Sequence, residues 1–287
     1  MIKVKSPITY ENQVEKLRLR GCFIENEADA IKILSNVNYY RLSAYFLPFK
    51  EQDDSYKQGT NFNTIYRIYE FDRKLRSIIF SVIEEIEVYL RARLAYYHAH
   101  KYGALGYLDE KNYHQKHNHQ DFLEKVETEK DKRKKEPFVK HHKLKYSDQF
   151  PVWVIIELFS FGMLSFFYSD LLVNDQKVIA RSFFKTHHKT LKSWLKCCTD
   201  IRNSCAHFGR FYYKRFSSIP DGIPELDNYN NRSLFGVVMM LKSLYPDINK
   251  WNKEITKIVI DIFNEYQNDI QLKHIGFPTD WKLKLIK

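Results

Sequence analysis

Cysteine is scarce in this chain: four in 287 residues, Cys22, Cys197, Cys198 and Cys205. None forms a C-x-x-C pair and two are adjacent, which excludes a disulfide framework and a zinc knuckle and fits a reducing cytoplasm. Glycine and proline are also few, nine and eight. Their scarcity leaves long uninterrupted stretches, favouring helices over short turn-linked strands. No Gly-rich phosphate loop, G-x-S-x-G or H-E-x-x-H occurs, so the usual marks of P-loop, serine-hydrolase and zincin chemistry are missing. The opening residues, MIKVKSPITYENQ, carry no apolar run, and no signal peptide is expected there.

Basic residues are plentiful. Lys and Arg number 46 against 35 Asp and Glu, a formal charge of +11. Such an excess points to a polyanionic partner. The 20 tyrosines and 21 phenylalanines supply core or stacking platforms for unpaired bases. The most apolar stretch, FPVWVIIELFSFGMLSFFY from Phe150 to Tyr168, is long enough for a membrane span. Glu157 near its middle and Pro151 at its start argue instead for two short buried helices joined near Gly162.

The periodicity predicts an all-α protein. Helices are expected over Pro7 to Arg20, with Thr9 as N-cap, and over Asn26 to Asn36. A third stretch from Asn38 is expected to run to Pro48. The longest pattern, about Asn63 to His100, repeats apolar residues from Ile65 through Leu75, Ile79, Ile83, Ile86 and Leu90 to Leu94 at helical steps. Asp109 to Gln120 reads as a polar loop. Asp121 to Lys135 reads as a solvated charged helix or a mobile insertion, with RNA contact as the sharper alternative. Further helices are expected over Gln176 to Phe184, Lys189 to Phe208, Arg232 to Leu244 and Asp247 to Gln271. Three regions follow: an N-terminal helical region, 1–60; a core, 61–245, with a charged insertion near 109–148; and a C-terminal helix and tail, 246–287. His114, His117 and His119 lack a cysteine or carboxylate at ligand spacing, so neither a metal nor a cofactor is expected.

Comparable chemistry is concentrated in Asp200-Ile201-Arg202-Asn203-Ser204-Cys205-Ala206-His207. Arginine is a fixed cation able to clamp a phosphate, and histidine exchanges protons near neutral pH. Metal-free RNA cleavage requires both. At 100° per residue, Asp200, Asn203 and His207 share one stripe, opposite Trp194, Cys197, Cys198, Ile201 and Cys205. Arg202 falls about 140° from His207. Its side chain either curls round the helix or meets a histidine from a second copy, which suggests a dimer. Arg210, Lys214 and Arg215, interleaved with Phe211, Tyr212, Tyr213 and Phe216, are candidate RNA contacts; a packed loop with snorkelling cations fits equally.

The segment Ile201 to Arg210 resembles the RN-x-x-AHH-x-R signature of the Abi-D/Abi-F-like abortive-infection proteins of the HEPN ribonuclease superfamily. Thr9 to Gln13, Asn38 to Tyr45, Tyr69 to Arg76, Ile86 to Arg93, Phe161 to Ser165 and Ser193 to Leu195 are similar to further family blocks, in order, over about residues 5–225. The chain departs at Phe208, where the family often has a second histidine; Phe208 falls nearer the apolar face and reads as packing.

The resemblance implies a HEPN-like helical bundle with an N-terminal helical extension and additional C-terminal helices. It implies a metal-independent endoribonuclease acting as a phage-defence toxin, with His207 as general acid or base, Arg202 on the phosphate and Asn203 orienting. Expected partners are an RNA substrate, a small non-coding RNA or protein antitoxin, and a second copy of the chain, in the cytoplasm without a membrane. The alternative is a non-catalytic RNA-binding protein that holds a small regulatory RNA.

Overall fold

The structure, a computed structural model, describes residues 6–218, 220, 222–223 and 232–286. Among these residues every regular element is helical; the only strand-like pairings are isolated bridges such as Phe23 with Asn61.

Three short helices open the chain, each capped as its sequence dictates. Helix α1, Tyr10–Leu19, starts where the Thr9 hydroxyl accepts from the Asn12 N–H at 3.3 Å. It ends before Gly21, whose φ of +89° suits glycine. Helix α2, Glu27–Asn36, is capped by Asn26. Val37 is extended, and Asn38 caps a new helix α3, Tyr39–Phe46. A 3-10 turn, Leu47–Phe49, then carries the chain past Pro48.

Helix α4, Phe62–Tyr102, is the spine. Its 41 residues span about 60 Å. The apolar stripe legible in the sequence is its buried face: Ile65, Leu75, Ile79, Ile83, Ile86, Leu90 and Leu94 are all buried. Full burial of one such side chain stabilises by about 1.5–3 kcal/mol. Around α4 pack α3 and most later helices, so that 1–60, 61–245 and 246–287 contribute to one hydrophobic cluster running from Val14 to Leu285.

The charged insertion forms α5, His119–Lys132, and α6, Pro137–Lys145. Helix α5 is regular and largely exposed, laced by ion pairs such as Lys125–Asp121 at 2.6 Å. The stretch expected as a loop, Asp109 to Gln120, contains one 3-10 turn, Glu110–Asn112, and its last two residues already belong to α5. Asp170, 53 residues away from His117 in sequence, reaches His117 Nδ1 at 2.9 Å. His117 in turn contacts His119 at 3.2 Å. No metal-holding group of His, Cys, Asp or Glu occurs among the described residues.

The apolar stretch breaks into α7, Val152–Ile155, a 3-10 turn, and α8, Phe161–Asp170. The break falls at Phe159 and Ser160, the latter capping α8, and not at Gly162, which lies in the first turn. Glu157 is exposed. Among the described residues no helix is long and apolar enough to cross a membrane. Helix α9, Val173–Phe184, and α10, His188–Ala206, follow. The chain ends with α11, Leu234–Leu244; α12, Ile248–Lys250, a π turn and α13, Thr256–Glu265; and α14, Trp281–Ile286. The single helix expected to Gln271 stops six residues early, and α14 has no counterpart in the sequence reading.

One buried group makes the fold pH-sensitive. His98 on α4 is fully buried, and neither ring nitrogen has a hydrogen-bond partner. Burial lowers its pKa from 6.5 to about 4; Asp175 opposes this slightly and Lys101 adds to it. Between those values the unfolded chain binds the extra proton, so stability is full above pH 6.5 and falls as pH drops. The slope is at most about 1.4 kcal/mol per pH unit, with a total near 3 kcal/mol below pH 4. Urea midpoints from pH 7 to 4 should fall more steeply for the wild type than for His98→Leu. Parallel lines would remove His98 as the cause.

Candidate active site

Helix α10 packs against α4, α8 and α9. Its amphipathic pattern decides which face is buried: Trp194, Cys197, Cys198, Ile201 and Cys205 point inward. The opposite stripe is exposed and includes Asp200, Asn203 and His207. Lys189, Lys192 and Lys196 continue the same stripe toward the N-terminus, also exposed and without ion pairs among the described residues. The six positions follow steps of three and four, so they form one line about 27 Å long. The helical projection that places His207 on this stripe places the three lysines there as well. The stripe's carboxylate, Asp200, accepts a hydrogen bond from the Ser218 hydroxyl.

The helix ends two residues earlier than the sequence suggests, at Ala206. The Gly209 N–H donates to the Ser204 carbonyl at 2.7 Å and the Phe208 N–H to the Cys205 carbonyl at 3.0 Å. This is the Schellman arrangement, in which the residue after the cap is left-handed and usually glycine. Here that residue is Phe208, with φ of +55°. Glycine stands one position later, where a Cβ would come within 3.0 Å of the Ser204 oxygen. His207 is therefore the C-cap residue. Phe208 does not join the apolar face as expected. The left-handed turn throws it outward, and it is 64% exposed.

Arg202 points the other way. Its guanidinium lies over the Phe80 ring of α4, 5.8 Å from the centroid. It lines a recess of about 260 Å³ with Glu84, Glu87 and Arg91. No ion pair engages it, and no hydrogen bond joins it to His207, among the described residues. One chain thus presents the cation and the imidazole on different sides of α10, as the 140° projection required.

The segment after the motif is fastened from below. Asp72 on α4 is fully buried. Its carboxylate accepts from the Phe211 N–H at 3.0 Å, the Tyr212 N–H at 2.9 Å, the Tyr45 hydroxyl at 2.6 Å and Arg76 at 2.7 Å. Burial pushes the Asp72 carboxyl up, against the pull of Arg76 and these donors. Arg76 also reaches the Gly209 carbonyl at 3.3 Å. The Asp72–Arg76 ion pair is buried, whereas its neighbour Glu70–Arg73 is partly exposed.

The aromatic-basic loop is a packed one. Phe211, Tyr212 and Phe216 are buried. Arg210 donates to the Ala44 carbonyl of α3 and lies over the Tyr45 ring. Lys214 donates to the Ser204 hydroxyl at 3.0 Å and sits over Phe211 and Phe216; burial lowers its pKa. Of the three candidate RNA contacts, Arg215 alone is exposed. Cys205, beside the motif, is buried and its thiol is pushed up to about 12, which leaves no thiolate for nucleophilic chemistry.

A family model described as Abi-like protein matches residues 32–213, well over half of the chain. The match includes α3, Asp72, Arg76 and the whole motif, and is narrower than the 5–225 resemblance, leaving Thr9 to Gln13 outside. No curated protein and no solved structure matches the chain.

Proposed function

We propose that this chain, which belongs to the Abi-like protein family, is a metal-independent endoribonuclease of abortive phage defence. One observation carries the reading: the Arg202-Asn203-x-x-x-His207 spacing sits at an exposed helix end, inside the matched region, with His207 and Asn203 open to solvent.

In the reaction, a base removes the proton from a ribose 2′-hydroxyl, whose oxygen attacks the adjacent phosphorus. The bond to the 5′-oxygen breaks, and an acid returns a proton to that oxygen. The products are a 2′,3′-cyclic phosphate and a 5′-hydroxyl. His207 takes or gives a proton. Arg202 holds the scissile phosphate and offsets its charge. Asn203, one turn before His207, orients the imidazole or the phosphate.

A homodimer supplies the missing proximity. An Arg202 of one protomer facing a His207 of the other completes a site that neither stripe holds alone. Parallel apposition of two α10 stripes over their full length would set lysines against lysines. A partner that meets α10 at its C-terminal turn instead leaves Lys189, Lys192 and Lys196 free to guide an RNA backbone toward the site.

The test uses purified protein, a broad set of single-stranded RNAs and EDTA, with the ends of the fragments mapped. The expected result is cleavage by wild type and none by His207→Ala, leaving cyclic phosphate ends. Activity abolished by EDTA would sink the metal-free mechanism. Binding of RNA by both proteins with cleavage by neither would favour the alternative, a protein that holds a small RNA.

A further inference from the structure

Phe208 keeps an aromatic ring where the backbone favours glycine. Its left-handed φ of +55° costs a residue with a Cβ about 1–2 kcal/mol. The ring recovers little of that by packing, since it makes no ring-to-ring contact among the described residues and is mostly exposed. What holds it is Arg41 of α3. The Arg41 guanidinium donates to the Phe208 carbonyl at 3.0 Å and stands 5.5 Å from the ring centroid. Backbone strain of this kind clusters at ligand clamps, and among the described left-handed non-glycine residues Phe208 is the one that borders the cleft lined by Arg41.

The ring stands at the edge of an open cleft of about 910 Å³. Arg41, Arg73, Arg76, Tyr69 and Phe80 also line it, and none of its lining residues is a carboxylate. Asp72 neutralises Arg76, and Glu70 engages Arg73 in the same way, through contacts of 2.8–3.2 Å to Nε and Nη2. Arg41 has no ion-pair partner among the described residues. Phe80 is shared with the recess that holds Arg202, so the two depressions meet at one aromatic wall.

We infer that Phe208 and Arg41 form a nucleobase-stacking subsite for single-stranded RNA, with the neighbouring phosphate on Arg41. The inference rests on the RNA reading above and identifies where the strand lies beside the reacting phosphate. Flat rings interleaved with cations match a strand of bases and phosphates. A base in a duplex has its faces covered by its neighbours, so the subsite selects unpaired RNA.

The experiment uses the His207→Ala protein as parent, so that RNA is bound without being cut. The probe is a short single-stranded RNA carrying 2-aminopurine, whose fluorescence is quenched by stacking. The parent binds and quenches it. Adding Phe208→Gly weakens binding by about tenfold, within the range of base-aromatic stacking, and removes the quench. The same change relieves the left-handed strain, so the melting temperature holds or rises. Phe208→Trp retains binding, whereas Phe208→Leu behaves as glycine does. The leucine and tryptophan pair decides the matter even where glycine lowers stability. Unchanged affinity in Phe208→Gly, leucine binding as well as the parent, or a parent that binds no RNA overturns the subsite. Stacking without cleavage by wild type would leave the subsite standing and remove the nuclease. Cleavage by wild type with full affinity in Phe208→Gly does the reverse.

Discussion

Under the proposed nuclease reading, alanine at position 207 is expected to lower the single-turnover RNA cleavage rate by about a thousandfold while RNA affinity changes little. The size follows from what is removed: a positioned acid or base is worth about 10²–10⁴ in rate. The imidazole is exposed and makes no hydrogen bond among the described residues, so its loss leaves the fold intact. Arg202→Lys should also fail, because an ammonium does not reproduce the planar two-pronged grip of a guanidinium on phosphate. Mixing the two inactive proteins gives a sharper result. If Arg202 of one protomer works with His207 of the other, a heterodimer of His207→Ala and Arg202→Ala contains one intact site and recovers part of the activity. A site built within one chain recovers none. Unaltered cleavage in His207→Ala would end the assignment of that residue.

Replacing Asp72 with alanine destabilises the protein by about 3–5 kcal/mol, the cost of breaking a buried ion pair. The loss is a large fraction of the 5–15 kcal/mol that typical domains have. Arg76 is left as an uncompensated charge, its side chain only 6% exposed. The N–H groups of Phe211 and Tyr212 and the Tyr45 hydroxyl also lose their acceptor. Asp72→Ala combined with Arg76→Met should recover part of the stability, since the charge is gone, but not all, since the two backbone donors remain unpaired. Chemical denaturation of the single and double variants measures both quantities. A single variant within 1 kcal/mol of wild type would show that the pair is not holding the loop. Activity should fall alongside stability, because this carboxylate fixes the segment that follows His207 and Phe208.

Asp72 also shows where sequence reading stopped. The Tyr69 to Arg76 segment reads as a helix with mixed charges, and nothing local separates Asp72 from Glu70. Glu70 is half-buried in a pair with the exposed Arg73, while Asp72 is sealed beneath a loop that lies about 140 residues further on. Phe208 failed for a related reason. Continuing the helical projection two residues past Ala206 placed the ring on the apolar face, but the cap reverses the chain direction there. The exposure of His207 and Asn203 was read correctly because they lie on or at the end of regular helix, where angle alone decides the face. The lysines at 189, 192 and 196 were legible by the same rule.

By itself, the sequence determined that the chain is helical, that α4 is a long spine, which face of α10 is buried, and that Arg202 and His207 diverge around it. Each is a consequence of period and composition, which act within one element. Tertiary structure decided which charges are free to meet a ligand. Arg210 and Lys214 are bound to Ala44 and Ser204, and Arg76 to Asp72, whereas Arg41 is brought from α3 onto Phe208 across 167 positions. Those pairings depend on how separate helices pack, and no local spacing encodes them.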